Sequence, residues 1–254
     1  DYVIPRLTSL DAPLLAVVGG STGAGKSTLV NSLVGSVVSR SGVLRTTTRS
    51  PVLVHHPEDT SWFIGGRVLP GLARVSGDDG GGDQGGLRLV ASGTLPAGLA
   101  LIDAPDIDSV VETNRLLARE LLAAADLWLF VTTAARYADA VPWELLRAAS
   151  ASGTSVAIVL DRVPPGAMDE VRSHLASMLR SQGLAGAPIF TVVETRLSDA
   201  GLLSEREIAR LRSWLSALAR DAKARSIVVR RTLTGALNSA RDGALTLSSA
   251  TGEQ

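Results

Sequence analysis

Lys26 is one of two lysines in a 254-residue chain whose cations are otherwise arginine. It sits in Gly20-Ser21-Thr22-Gly23-Ala24-Gly25-Lys26-Ser27, which fits the spacing G-x-x-x-x-G-K-[ST] without substitution. Each part of that spacing has a task on an anion. Backbone N–H groups of residues 23–28 can cradle α- and β-phosphates at the start of a helix, where the helix dipole favours negative charge. The Lys26 ammonium would meet the β- and γ-phosphates, and the Ser27 hydroxyl is a hard oxygen ligand for Mg²⁺. Thr22, Gly23, Ala24, Gly25, Lys26, Ser27 and Thr28 are therefore the phosphate-binding residues this spacing selects. The alternative, a glycine-rich surface turn with a solvated lysine, leaves unexplained the apolar run Leu14–Val18 before it and the helical pattern Thr28–Val34 after it.

Two further stretches carry matching chemistry. Leu101-Ile102-Asp103-Ala104-Pro105-Asp106 is an apolar strand ending in a carboxylate that can hold a water of a Mg²⁺ shell, unless Asp103 simply caps the strand end. Leu44-Arg45-Thr46-Thr47-Thr48-Arg49-Ser50-Pro51 puts three threonines before another strand. A threonine on such a loop can ligate Mg²⁺ when a γ-phosphate is present and so form a switch. Arg45 and Arg49 could stabilise transition-state charge, or be exposed arginines of an arginine-rich chain.

The elements that must position these groups alternate. Apolar runs predict strands at 14–19, 51–56, 87–92, 99–103, 127–132, 155–160 and 188–193, and amphipathic spacing predicts helices near 26–35, 110–125, 139–150, 167–182 and 204–222. That order is α/β: a three-layer fold, with helices on both faces of a mostly parallel central sheet and a C-terminal helical extension. Ligands of such sheets bind at the carboxyl ends of the strands. Residues 77–86 hold six glycines and no apolar residue, a surface loop. An apolar stripe, Val229, Leu233, Leu237, Ala240, Ala244 and Leu247, runs along a last helix. It either packs on its own domain or opens a bundle. The expected division is a phosphate-binding domain at 1–200 and C-terminal helices at 201–254.

Composition excludes several classes. There is no cysteine, so disulfides and thiolate metal sites are ruled out, and His55, His56 and His174 are scattered. Net charge is zero, which argues against a nucleic-acid partner. From Leu203 onward nine basic and five acidic residues give a mild positive tilt. No apolar run reaches membrane-spanning length, and the first residue, Asp1, suggests a piece of a longer protein.

Together these residues resemble the translation-factor-like class of GTPases. The run GAGKSTLVNSLVG is similar to its Era-like branch, and TTTRSPVLV resembles the switch of dynamin-like proteins, including the continuation Val52-Leu53-Val54. The resemblance covers about residues 14–195 and points to a bacterial dynamin-family protein. It implies GTP or GDP as ligand, Mg²⁺ held by Ser27, Thr48 and Asp103, and Lys26, Thr48 and Asp103 as the catalytic group, with Thr47 standing in for Thr48 if needed. It further implies a homodimer across the nucleotide, a cytoplasmic site of action at the inner face of the membrane, and membrane association through regions outside this chain. It makes residues 201–254 the start of a helical bundle.

The chain departs from the family in two places. Where the third motif has a glycine whose N–H meets the γ-phosphate, it has Asp106, a carboxylate that phosphate repels unless it turns outward or shares a cation. Ile107 follows, where related proteins carry a water-orienting glutamine. The base motif should follow the strand Val156–Leu160, and there the chain reads Asp161-Arg162-Val163-Pro164. Asp161 takes the asparagine position, Arg162 the lysine position covering the base, and Pro164 replaces the guanine-accepting aspartate. Glu194, in Val193-Glu194-Thr195, is a substitute carboxylate. The readings that remain are a nucleotide-switch GTPase, a nucleotide-gated binding module with little turnover and relaxed base choice, and an ATPase or kinase.

Overall fold

The computed structural model describes residues 12–39, 50–66, 68–75, 86–109, 111–151 and 153–221, with positions 227, 234 and 241 beyond them. Its strands are β1 (Leu14–Gly20), β2 (Val52–His55), β3 (Arg74–Val75), β4 (Leu87–Ala91), β5 (Leu99–Asp103), β6 (Leu127–Thr133), β7 (Ser155–Val163) and β8 (Ile189–Val193). Its helices are α1 (Lys26–Val34), α2 (Thr60–Phe63), α3 (Glu112–Ala123), α4 (Ala140–Ala151), α5 (Met168–Ser181) and α6 (Glu205–Arg220). They form one eight-stranded sheet in the order β3-β4-β2-β5-β1-β6-β7-β8. Every pairing is parallel except β2 with β5.

Alternation along the strands builds the layers. Leu14, Ala16 and Val18 of β1 face one side, where Leu29, Val30 and Leu33 of α1 and Ile208, Leu211, Leu215 and Ala219 of α6 cover them. Leu15 and Val17 face the other side and meet Leu121 of α3, while Trp128 and Phe130 of β6 meet Leu146 of α4 and Leu175 and Leu179 of α5. The sequence reading of a doubly covered, mostly parallel sheet therefore holds. Both faces of β1 are apolar because both are buried, which is why it reads as a continuous run.

Two features differ from the predicted elements, and a third concerns where a predicted helix packs. Strand β3 and helix α2, two and four residues long, are too short to show a period. Strand β7 runs on to Val163 with a register break between Leu160 and Val163, so Asp161 and Arg162 lie within an irregular strand end rather than after it. Helix α6 belongs to the main core, although it lies beyond residue 200.

Register delivers the site. Val18 pairs with Asp103, Gly20 with Val131, and Thr133 with Asp161, so the carboxyl ends of β5, β1, β6 and β7 finish at one edge. Because β2 is antiparallel to β5, its first residue, Val52, pairs with Asp103 at that same edge.

Candidate functional site

Strand β1 ends in a turn that only glycines allow. A Cβ on Gly20 would strike the Val131 carbonyl oxygen of β6. Gly23 and Gly25 take φ of 71° and 93°, the left-handed region that side chains disfavour. Helix α1 then starts with Gly25 as N-cap and no side chain closing its first turn. The first N–H groups of a helix have no acceptor within it, so this end suits an anion.

Lys26 lies inside this turn, 3% exposed. Its Nζ donates to the Gly20 carbonyl at 3.0 Å, the Ser21 carbonyl at 2.9 Å and Asp106 Oδ1 at 2.5 Å. The carboxylate that the sequence placed against phosphate thus shares the lysine's charge. Ile107 is buried among Trp128 and Phe130, so its side chain belongs to the core and not to the site.

Ser27 Oγ donates to Asp103 Oδ2 at 2.6 Å, and Ser39 Oγ donates to the same oxygen at 2.5 Å. Asp103 is 8% exposed, and its Oδ1 is buried with no hydrogen-bond partner among the described residues. An orphaned carboxylate oxygen beside a serine hydroxyl is the donor chemistry of a hard divalent cation, and the residues fit Mg²⁺. Asn31 fixes Ser39 in place: its Oδ1 accepts the N–H groups of Val38 and Ser39, and its Nδ2 donates to the Ser39 carbonyl. Thr46, Thr47, Thr48, Arg45 and Arg49 lie outside the described residues.

Asp161 reaches the phosphate turn from β7. A Cβ on Gly25 would strike Asp161 Oδ2. Arg162, at φ 51°, donates its N–H to Asp161 Oδ1 at 2.8 Å and its guanidinium to the Gly23 carbonyl. Burial pushes the Asp161 carboxyl above its ordinary value; Glu194 adds to that, and the Arg162 N–H and guanidinium oppose it. The Glu194 N–H donates to the Val163 carbonyl at 3.0 Å, which brings the end of β8 alongside. Pro164 is exposed. Asp161 and Arg162 therefore lie beside the turn, with Glu194 next to them at the end of β8. Ala24 and Thr28 lie within that turn and the first turn of α1, with Ala24 buried.

Three residues escaped the sequence reading. Asp108 Oδ1 accepts the Thr22 N–H at 2.7 Å and the Thr22 hydroxyl at 2.9 Å. Arg136, just after β6, donates to the Thr22 carbonyl at 3.0 Å and to Asp108 Oδ2 at 3.1 Å, while Asp139 accepts its Nε at 2.9 Å. Burial pushes the Asp108 carboxyl up, yet the Thr22 bonds and the Arg136 charge outweigh it and hold the group below the usual carboxylate range. Arg136 could have been found by inspecting every residue after a strand's carboxyl end. Ser39, the third, gave no signal of its own.

Residues 15–194 match the family model described as 50S ribosome-binding GTPase. No curated protein matches the chain. Among solved structures, a chain of an oligomerised bacterial dynamin pair, associated with sensing and tethering of membranes, aligns at TM-score 0.57 and 13% identity, covering 100% of this chain. This chain spans only 46% of that dynamin. Toc33 from Arabidopsis thaliana, in complex with Mg²⁺ and GMPPNP, aligns at TM-score 0.51 and 16% identity over 89% of this chain and 91% of its own. Era, with MgGDPNP and a segment of 16S ribosomal RNA, aligns at TM-score 0.51 and 17% identity over 80% of this chain and 56% of its own. At such identities the likeness is one of fold.

Proposed function

Because this chain belongs to the family described as 50S ribosome-binding GTPases, we propose that it binds GTP with Mg²⁺ and acts as a dynamin-like nucleotide switch that hydrolyses GTP slowly on its own. The observation that carries this reading is the convergence of Lys26, Ser27 and Asp103 at the open end of α1, with Ser27 Oγ 2.6 Å from a buried carboxylate. Ser27 and Asp103 would hold the Mg²⁺, with Thr48 as the further ligand. When bound, the ion neutralises phosphate charge and orients the phosphates. Lys26 binds phosphate oxygens, the turn from Gly23 to Thr28 orients them through its N–H groups, and Arg162 covers the base beside Asp161 and Glu194.

Slow turnover follows from Ile107, whose buried side chain cannot orient an attacking water. A second copy across the nucleotide would complete the site, and regions outside this chain would bring it to a membrane from the cytoplasm. The deciding measurement is a titration of the purified chain with labelled GTP and ATP, with and without Mg²⁺. GTP should bind more tightly than ATP, and only with the ion at full affinity. Equal affinity for both would remove the guanine assignment and leave the phosphate site standing.

The same burial of Ile107 favours a second reading, a nucleotide-gated binding module with negligible hydrolysis. Steady GDP release over a prolonged incubation counts against it. Turnover per molecule that rises with protein concentration supports completion by a second copy.

A further inference from the structure

We propose that Asp106 is an internal competitor for phosphate, and that it sets how strongly the site favours one nucleotide over another. This inference rests on the phosphate-binding reading of Lys26 and deepens it. An ammonium has three donors. In this structure they meet the Gly20 carbonyl, the Ser21 carbonyl and Asp106 Oδ1 at 3.0, 2.9 and 2.5 Å. A phosphate oxygen can reach this cation only by taking the place of one of the three.

The two carbonyls are not the ones to leave. Gly20 ends a central strand, where Val131 of β6 leaves no room even for a Cβ, and the Ser21 carbonyl also accepts the Ala24 N–H that closes the turn. Asp106 stands on the loop between β5 and α3, and that loop is anchored by its neighbours. Ile107 is buried in the core, and Asp108 is held by Thr22 and Arg136. A side-chain rotation at Asp106 would therefore free the ammonium while the flanking residues stay in place.

The carboxylate is 13% exposed beside a lysine side chain 2% exposed, so little water screens the pair. The displaced carboxylate stays tethered on its loop near the incoming phosphates. It opposes a nucleotide more strongly the more negative charge that nucleotide brings to Lys26. Triphosphate is disfavoured relative to diphosphate, and the loop after β5 registers the exchange.

The test measures GTP and GDP binding to wild type, Asp106→Asn, Asp106→Ser and Lys26→Ala, together with the thermal midpoint of each with and without nucleotide. Asp106→Asn should bind GTP about tenfold more tightly, GDP by a smaller factor, and show a larger GTP-induced rise in midpoint even if its nucleotide-free midpoint falls. Asp106→Ser should behave the same way and serves if the asparagine variant folds poorly. Folded variants that bind GTP no more tightly than wild type, while Lys26→Ala abolishes binding, would overturn this inference and leave the nucleotide site intact. If neither wild type nor the Asp106 variants bind GTP, the nucleotide reading fails and this inference falls with it.

Discussion

Asp161 and Asp108 are carboxylates of one site with opposite energetics. Asp161 is half-buried against Gly25, and its folded-state pKa is raised, so its ionisation opposes folding. The stability tied to its neutral form is fully present below the ordinary carboxylate value and is lost as pH rises through the raised one. Asp161→Asn should therefore be more stable relative to wild type at pH 7 than at pH 4, as urea denaturation at both pH values would reveal. Asp108 runs the other way. Its pKa is lowered, so its contribution is present above the ordinary value and is lost as pH falls through the lowered one. Arg136→Ala should reduce that contribution, flatten the acid side of the stability profile, and cost within about 1 kcal/mol at neutral pH, because the guanidinium is 42% exposed. The lysine, serine and strand-end aspartate of this site were legible in the sequence because their task is written in local spacing. Asp108, Arg136 and Ser39 were not, since the partners they bond lie 86, 114 and 64 residues away and no local pattern connects them.

At the scale of elements, the strands and longer helices were legible because burial on two faces or one imposes a period on the residues. The stretch between β2 and β4 shows what that signal misses. Arg74 organises it, donating to the carbonyls of Phe63, Gly65, Val68, Leu69 and Leu72. One guanidinium thus does for this stretch what a ladder of backbone bonds does for a strand, and nothing periodic results. Arg74→Met keeps the apolar stem and removes the donors. It should cost about 2–4 kcal/mol, as several buried carbonyls lose a charged partner. Amide exchange should quicken across 57–75 while α1 stays protected. Strand β7 is the other case: Arg162 at φ 51° breaks the register, and an arginine gives no warning of a left-handed backbone.

For the whole molecule, α6 decides where the fold can be cut. Ile208, Leu211, Leu215 and Ala219 fill the same core as β1 and α1 and are at most 2% exposed. Burying Ile208, Leu211 and Leu215 stabilises by about 1.5–3 kcal/mol each, a large share of what a domain has in reserve. A chain ending at residue 200 should lose cooperative thermal unfolding and bind a hydrophobic dye, whereas one ending at residue 221 should melt in a single transition. Among the described residues no helix is long and apolar enough to cross a membrane. Ser32 gives this arrangement a mechanical side. Near the far end of α1 its hydroxyl accepts the Leu203 N–H at 2.9 Å, and its carbonyl accepts Arg212 of α6 at 2.8 Å. Helix α1 is a stiff rod about 13 Å long, pinned near one end to the C-terminal helix and ending at the other in a first turn that no side chain caps. Two bonds to a single residue of α1 thus tie the C-terminal helix to the element whose first turn holds Lys26.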